Sequence, residues 1–132
     1  MEDMTVNDDL CFCCGVKNER GLKLKYAYPE KGKAETECKI PDYFTGWRSI
    51  THGGLLAMLL DETMAHACVS ADLFLVTAEI NVRYLKPVGV GELVKIKAKV
   101  AEIKSRTAET EGWIYNSKEE VIARGKARFI KA

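Results

Sequence analysis

The chain has 132 residues, 47% hydrophobic and 30% charged, with a formal net charge of +1. That length is one domain, residues 1–132, able to bury a core without staples. A near-neutral balance excludes the strong field of a nucleic-acid or membrane-surface binder, and no apolar run is long enough to span a bilayer.

Residues 1–20 read as an irregular lead-in. Met1 to Asp9 is acidic and polar, without a basic-then-apolar leader, so a signal peptide is not expected. The five cysteines, Cys11, Cys13, Cys14, Cys38 and Cys68, are odd in number and irregular in spacing. They do not form a disulfide framework, and free thiols in a reducing cytoplasm are expected. Cys11 to Cys14 holds a Cys-x-x-Cys, but zinc would need two further ligands. Cys38 and a histidine could supply them only by chance of folding, and a redox pair would want a thioredoxin-like context. A thiol cluster packed on a sheet is the reading taken, with no metal and no cofactor.

Gly21 to Tyr28 alternates apolar and basic residues, the pattern of a half-buried strand. Pro29 to Gly32 is a turn, and Lys33 to Ile40 alternates again, so a hairpin is expected. Pro41 to Thr51 is a loop rich in turn residues and aromatics. Gly53 to about Ser70 is rich in Leu, Ala and Met and is apolar almost all round, which predicts a buried helix. Strand chemistry returns at Phe74 to Leu85, Leu93 to Ile103, Thr107 to Tyr115 and Val121 to Ile130. One buried helix and a run of antiparallel strands is α+β, most simply a sheet wrapped around the helix.

The chemistry centres on Thr51-His52-Gly53-Gly54 and on Asp61. Glycines at a helix start allow close approach to the backbone. The first amides there lack internal partners and sit at the positive end of the dipole, where a developing oxyanion is favoured. Relief of packing at a tight junction is the simpler reading of the glycines taken alone. Asp61 follows Leu59-Leu60 in the most apolar segment. A poorly solvated carboxylate suits a general base or nucleophile; an Asp paired at the helix edge is the other reading. Glu62 is expected to face solvent or an ion pair. Gly53 and Asp61 are eight residues apart, roughly 12 Å along a helix axis, too far to act on one carbon. If both act, two helices must meet antiparallel across a dimer.

The segment HGGLLAMLLDETMAHA resembles the helix signature of hotdog thioesterases of the phenylacetyl-CoA (PaaI-like) and 4-hydroxybenzoyl-CoA types. These show a His-Gly-Gly with an acid nine residues after the His, matched here by His52 and Asp61. VTAEINVRYLKPV resembles the strand that follows, with its Tyr-x-x-Pro at Tyr84 and Pro87, and Cys11 to Leu22 resembles a lead-in common in the group. The resemblance covers about residues 11–131 and implies the hotdog fold and an acyl-CoA thioesterase acting as a homodimer or homotetramer. It implies Asp61 as base or nucleophile and the partner's Gly53 amide on the thioester carbonyl. Thr77 would stand where relatives place a water-positioning Ser. His52 would shape the loop entering the helix, with Gly54 beside it; His66 lies off the motif.

In the same family several members carry Asn or Gln six residues before the His, where this chain has Gly46; Ser49 is a substitute. Trp47 and Tyr43 are candidates to line an acyl pocket. Arg83, Lys86, Lys104 and Arg106 are candidates for the CoA phosphates. The rival functions are a hotdog domain that binds acyl-CoA without hydrolysis, a zinc or redox protein using Cys11 to Cys14, and a hotdog hydratase or dehydratase. The last would want a catalytic His paired with an acid near the helix start.

Overall fold

The computed structural model describes residues 7–132; Met1 to Val6 lie outside the described residues. The elements are β1 (Lys33–Lys39), a 3-10 turn (Asp42–Phe44), α1 (Gly53–Ser70), β2 (Val76–Tyr84), β3 (Leu93–Ile103), β4 (Thr107–Tyr115) and β5 (Val121–Ile130). The strands form one antiparallel sheet in the order β1-β3-β4-β5-β2. α1 packs against all five strands, the wrapped-helix arrangement expected from the sequence.

α1 forms because good helix formers fill it, and its ends are marked. His52 is the N-cap. At the other end Asp72 takes φ 61, its N–H donates to the Val69 carbonyl, and the Leu73 N–H donates to the Cys68 carbonyl. This is a Schellman closure with Asp where glycine is commonest. The helix buries Leu55, Leu56, Leu59, Leu60, Thr63, Met64, Ala67 and Cys68. It is not buried all round: Asp61, Glu62, Ala65 and His66 form a half-buried stripe.

Two glycines let the helix sit close. Gly112 of β4 and Gly125 of β5 face each other in register. A Cβ on the first would lie 3.2 Å from Leu60 Cδ2, and one on the second 3.3 Å from Leu60 Cδ1. Leu60 and Met64, both fully buried, fill this shallow trough.

The segment 21–28 is not the expected strand. Lys23 is left-handed, φ 53, which breaks an extended run. The Leu22 and Leu24 N–H groups donate to the Phe12 and Cys13 carbonyls, and only a bridge between Ala27 and Glu35 joins the sheet. The alternation is real, but its backbone is satisfied by the cysteine loop rather than by a ladder.

β2 pairs only with β5. Along it Val76, Ile80 and Tyr84 are exposed apolar side chains, on a strand whose second edge meets no other strand among the described residues.

Candidate active site

The loop before α1 is tied down at several points. The Thr51 N–H donates to the Val88 carbonyl at 2.8 Å and the His52 N–H to the Phe44 carbonyl at 2.9 Å. Arg48 and Ser49 are both left-handed, φ 53 and φ 62. With the Ile50 N–H on the Trp47 carbonyl at 3.0 Å, they make a tight I′-type turn that Asn-Gly would normally occupy. Gly46 fits here because a Cβ would lie 3.2 Å from the His52 Cα and 3.3 Å from the Ile50 carbonyl oxygen. A side chain here would press on backbone that must yield by a few tenths of an ångström, which disfavours the Asn or Gln carried by several members of the family.

At the helix start His52 Nδ1 accepts the Gly54 N–H at 2.9 Å. Nδ1 is therefore unprotonated in this arrangement, and the Gly54 amide is taken. The Gly53 N–H has no acceptor among the described residues, as expected for a first-turn amide. The Gly53 carbonyl accepts the Tyr84 hydroxyl at 2.8 Å. A Cβ on Gly53 would meet the Tyr84 ring at 3.3 Å, so a bare backbone suits this contact. The Thr51 hydroxyl, beside this turn, is buried without a hydrogen-bond partner among the described residues.

Two turns along the helix, Asp61 is half-buried and its Oδ1 accepts the Thr77 hydroxyl at 2.7 Å. A register shift between Thr77 and Glu79 marks a bulge in β2 at this point, and bulges re-aim side chains. The Thr77 hydroxyl is thereby turned to the helix. β2 runs antiparallel to α1 and touches it at both ends, Thr77 at Asp61 and Tyr84 at Gly53.

The sequence-derived candidates thus fall into groups. Asp61 meets Thr77, and His52, Gly53 and Gly54 meet at the helix start, but the two clusters stay apart within one chain. Ser49 lies in the left-handed turn, where its carbonyl accepts the Val90 N–H. Trp47 and Tyr43 are 78% and 72% exposed and contribute nothing to the core. Arg83 lines a shallow depression with Asn81, Trp113, Arg124 and Lys126. Trp113 lies out of register with the inward Gly112 and Ile114, so this depression is on the sheet face turned away from the helix. Lys86 is paired with Glu120, an exposed pair of small energetic consequence. Lys104 and Arg106 belong to the β3–β4 turn. Tyr84 was visible in the sequence only as part of a motif; its hold on Gly53 is a tertiary contact.

A cleft of about 820 Å³ lies elsewhere, between residues 21–27 and the β1–β3 edge. None of Gly53, Asp61 or Thr77 lines it. The polar constellation is the better guide, because it sits against the open β2 edge and is only half enclosed by one chain.

A model of the thioesterase superfamily matches residues 49–123, a stretch that contains both clusters. Acyl-coenzyme A thioesterase THEM4 of Rattus norvegicus is 26% identical over 117 residues, 86% of this chain and 50% of the rat protein. Acyl-coenzyme A thioesterase 13 of Homo sapiens is 32% identical over 80 residues, 59% of this chain and 57% of the human one. The chain thus spans little more than half the length of these relatives. Among solved structures, the Escherichia coli PaaI protein from the phenylacetic acid degradation operon superposes with a TM-score of 0.79. It is 22% identical and covers 83% of this chain and 84% of that one, which establishes a shared hotdog fold.

Proposed function

The chain belongs to the thioesterase superfamily, and from that premise we propose that it hydrolyses an acyl-CoA thioester to the free acid and CoA, with its sites shared across a homodimer. The acyl-CoA class is carried over from the relatives that bear it in their names. The observation that carries the site is the Thr77–Asp61 hydrogen bond at 2.7 Å. The Thr77 hydroxyl donates to one carboxylate oxygen and orients the group, leaving Oδ2 to work on a water. Asp61 takes a proton from that water as its oxygen attacks the thioester carbon. The carbonyl oxygen becomes negative opposite the Gly53 N–H of the partner subunit. Collapse breaks the carbon–sulfur bond, and the CoA sulfur leaves with a proton.

The same contacts support the dimer. An antiparallel pairing of β2 with a second β2, centred between Ile80 and Asn81, sets Thr77 opposite Tyr84 of the partner subunit. Thr77 holds Asp61, and Tyr84 holds Gly53. The pairing therefore brings each carboxylate to the other chain's helix start. It also covers Val76, Ile80 and Tyr84 and satisfies an edge that would otherwise invite aggregation. Such dimers are the unit, whether alone or paired into a tetramer. Arg83, on the sheet face turned away from the helix, is a candidate for the CoA phosphates only where the substrate reaches around the β2 edge, and Trp47 and Ser49 lie in the loop that leads into the helix start. Five free thiols suit a reducing compartment, the cytoplasm.

The test is thiol release from a panel of aliphatic and aryl acyl-CoAs, wild type beside Asp61→Asn. Release by wild type alone is expected. Equal release by the variant would remove Asp61 from the mechanism, and no release from any substrate would favour a domain that binds acyl-CoA without cleaving it.

A further inference from the structure

The thiol cluster that the sequence leaves short of ligands meets Glu62 of the helix, and His66 stands beside Glu62. Cys11, Cys14 and Glu62, all half-buried, place their two Sγ atoms and a carboxylate oxygen within 4.8 Å of one another. Cys11 donates to Glu62 Oε2 at 2.9 Å. The other Glu62 oxygen is 3.8 Å from Nε2 of His66, one helical turn on. His66 is held in place: its Nδ1 is 2.7 Å from the Tyr28 hydroxyl, and its ring stacks on Tyr26 at 3.8 Å between centroids. A partner on one ring nitrogen fixes the tautomer and aims the other, as at metal-bound histidines.

The cysteine turn is built as well. The Cys13 N–H donates to Cys11 Sγ at 3.4 Å, and the Gly15 N–H donates to the Cys11 carbonyl at 2.9 Å. A Cβ on Gly15 would lie 2.4 Å from the Cys11 nitrogen and 2.5 Å from the Asp9 carbonyl oxygen, so only glycine closes it. Residues 7–24 contain no helix or strand, yet they bury Cys13 and Leu24 against the rest of the chain. A loop with so little ladder bonding gains most from a fixed anchor.

We propose that Cys11, Cys14, Glu62 and His66 bind one zinc ion, which clips the amino-terminal loop to the outer face of α1. Two thiolates, a carboxylate and an imidazole are a zinc donor set, at about 2.0–2.3 Å from the metal. Binding releases the two thiol protons to solvent, Glu62 enters ionised, and His66 enters neutral through Nε2. The cluster has no residue in common with Asp61, Thr77, Gly53 or Tyr84, so its role is structural and its test reads metal binding rather than hydrolysis.

The test is titration of reduced, metal-free full-length protein with cobalt(II) as a spectroscopic stand-in, followed by displacement with zinc. Expected are thiolate-to-cobalt charge-transfer absorption with tetrahedral d–d bands, saturating at one ion per chain and lost on adding zinc. A rise in melting temperature with zinc, reversed by a chelator, should accompany it. Cys11→Ser/Cys14→Ser should lose the charge-transfer band, with folding checked by circular dichroism. Glu62→Gln and His66→Ala, which leave both thiols in place, should each weaken zinc by more than the roughly 10–100-fold lost when only a ligand's supporting group is removed. No charge-transfer band in the wild type, or a band undiminished in the double cysteine variant, overturns the site. Undiminished affinity in both helix variants overturns the four-ligand assignment.

Discussion

At the residue scale, the site depends on a few polar contacts of defined direction. Asp61→Asn keeps the size and the Thr77 contact but loses the basic oxygen. Turnover should fall to background with the melting temperature little changed, which steady-state thiol release and a thermal scan together check. Thr77→Ala removes only an orienting hydrogen bond, so a smaller loss is expected, about 10-fold; a loss equal to that of Asp61→Asn would make Thr77 more than a positioning group. Tyr84→Phe keeps the ring against Gly53 and deletes its bond to the Gly53 carbonyl. It should cost about 1 kcal/mol in denaturant unfolding and lower kcat more than it raises KM. His52 is best understood through its cap: Nδ1 satisfies the Gly54 N–H where Ser or Asp usually would. His52→Ala should destabilise by about 1 kcal/mol.

At the element scale, the seat of α1 on the sheet is set by missing side chains. Gly112 and Gly125 lie at the centre of the β4–β5 ladder, where glycine is intrinsically poor. They are there because Leu60 and Met64 occupy the space a Cβ would take. Gly125→Val should force the helix outward and cost about 1–3 kcal/mol as overpacking, read from a denaturant midpoint. Because Asp61 follows Leu60 directly, the same shift should lengthen the Asp61–Thr77 contact and lower activity. Gly125→Ala should show the same signs at smaller size. An unchanged rate in a clearly destabilised Gly125→Val would separate helix seating from the site.

At the scale of the whole molecule, one chain holds two half-sites. Gly53→Pro removes the amide donor at the first residue of a helix, where the backbone accepts proline and His52 at φ −57, ψ 129 suits a residue before it, with the Tyr84 ring giving by a few tenths of an ångström. Each of Asp61→Asn and Gly53→Pro should be inactive alone. Mixed and allowed to exchange, the two should regain roughly a quarter of the wild-type rate per chain. Half of the dimers are then mixed, and each mixed dimer has one intact site under two-fold symmetry. A mixture no more active than its parts would show that each site is completed within its own chain.

Much of this was legible along the chain, because it depends on local periodicity. The limits of α1, β3, β4 and β5 follow from apolar spacing and turn residues, and the acid at Asp61 stands out because a carboxylate is costly among leucines. The strand expected over 21–28 was not decided locally. Its alternation fits a strand, but a left-handed Lys23 and the carbonyls of Phe12 and Cys13 claim its backbone. Glu62 takes the ion-pair alternative, with His66 one turn on, but its contact with Cys11 was not visible locally, nor were the roles of Tyr84, Gly112 and Gly125. The contacts of Glu62 with Cys11, Tyr84 with Gly53, and Gly112 and Gly125 with Leu60 join groups between about 30 and 65 positions apart in the sequence. Sequence spacing reports what lies on one face of one element. Which faces meet is decided by packing the whole chain around one helix, where close approach, backbone satisfaction and an uncovered strand edge are properties of the assembled fold.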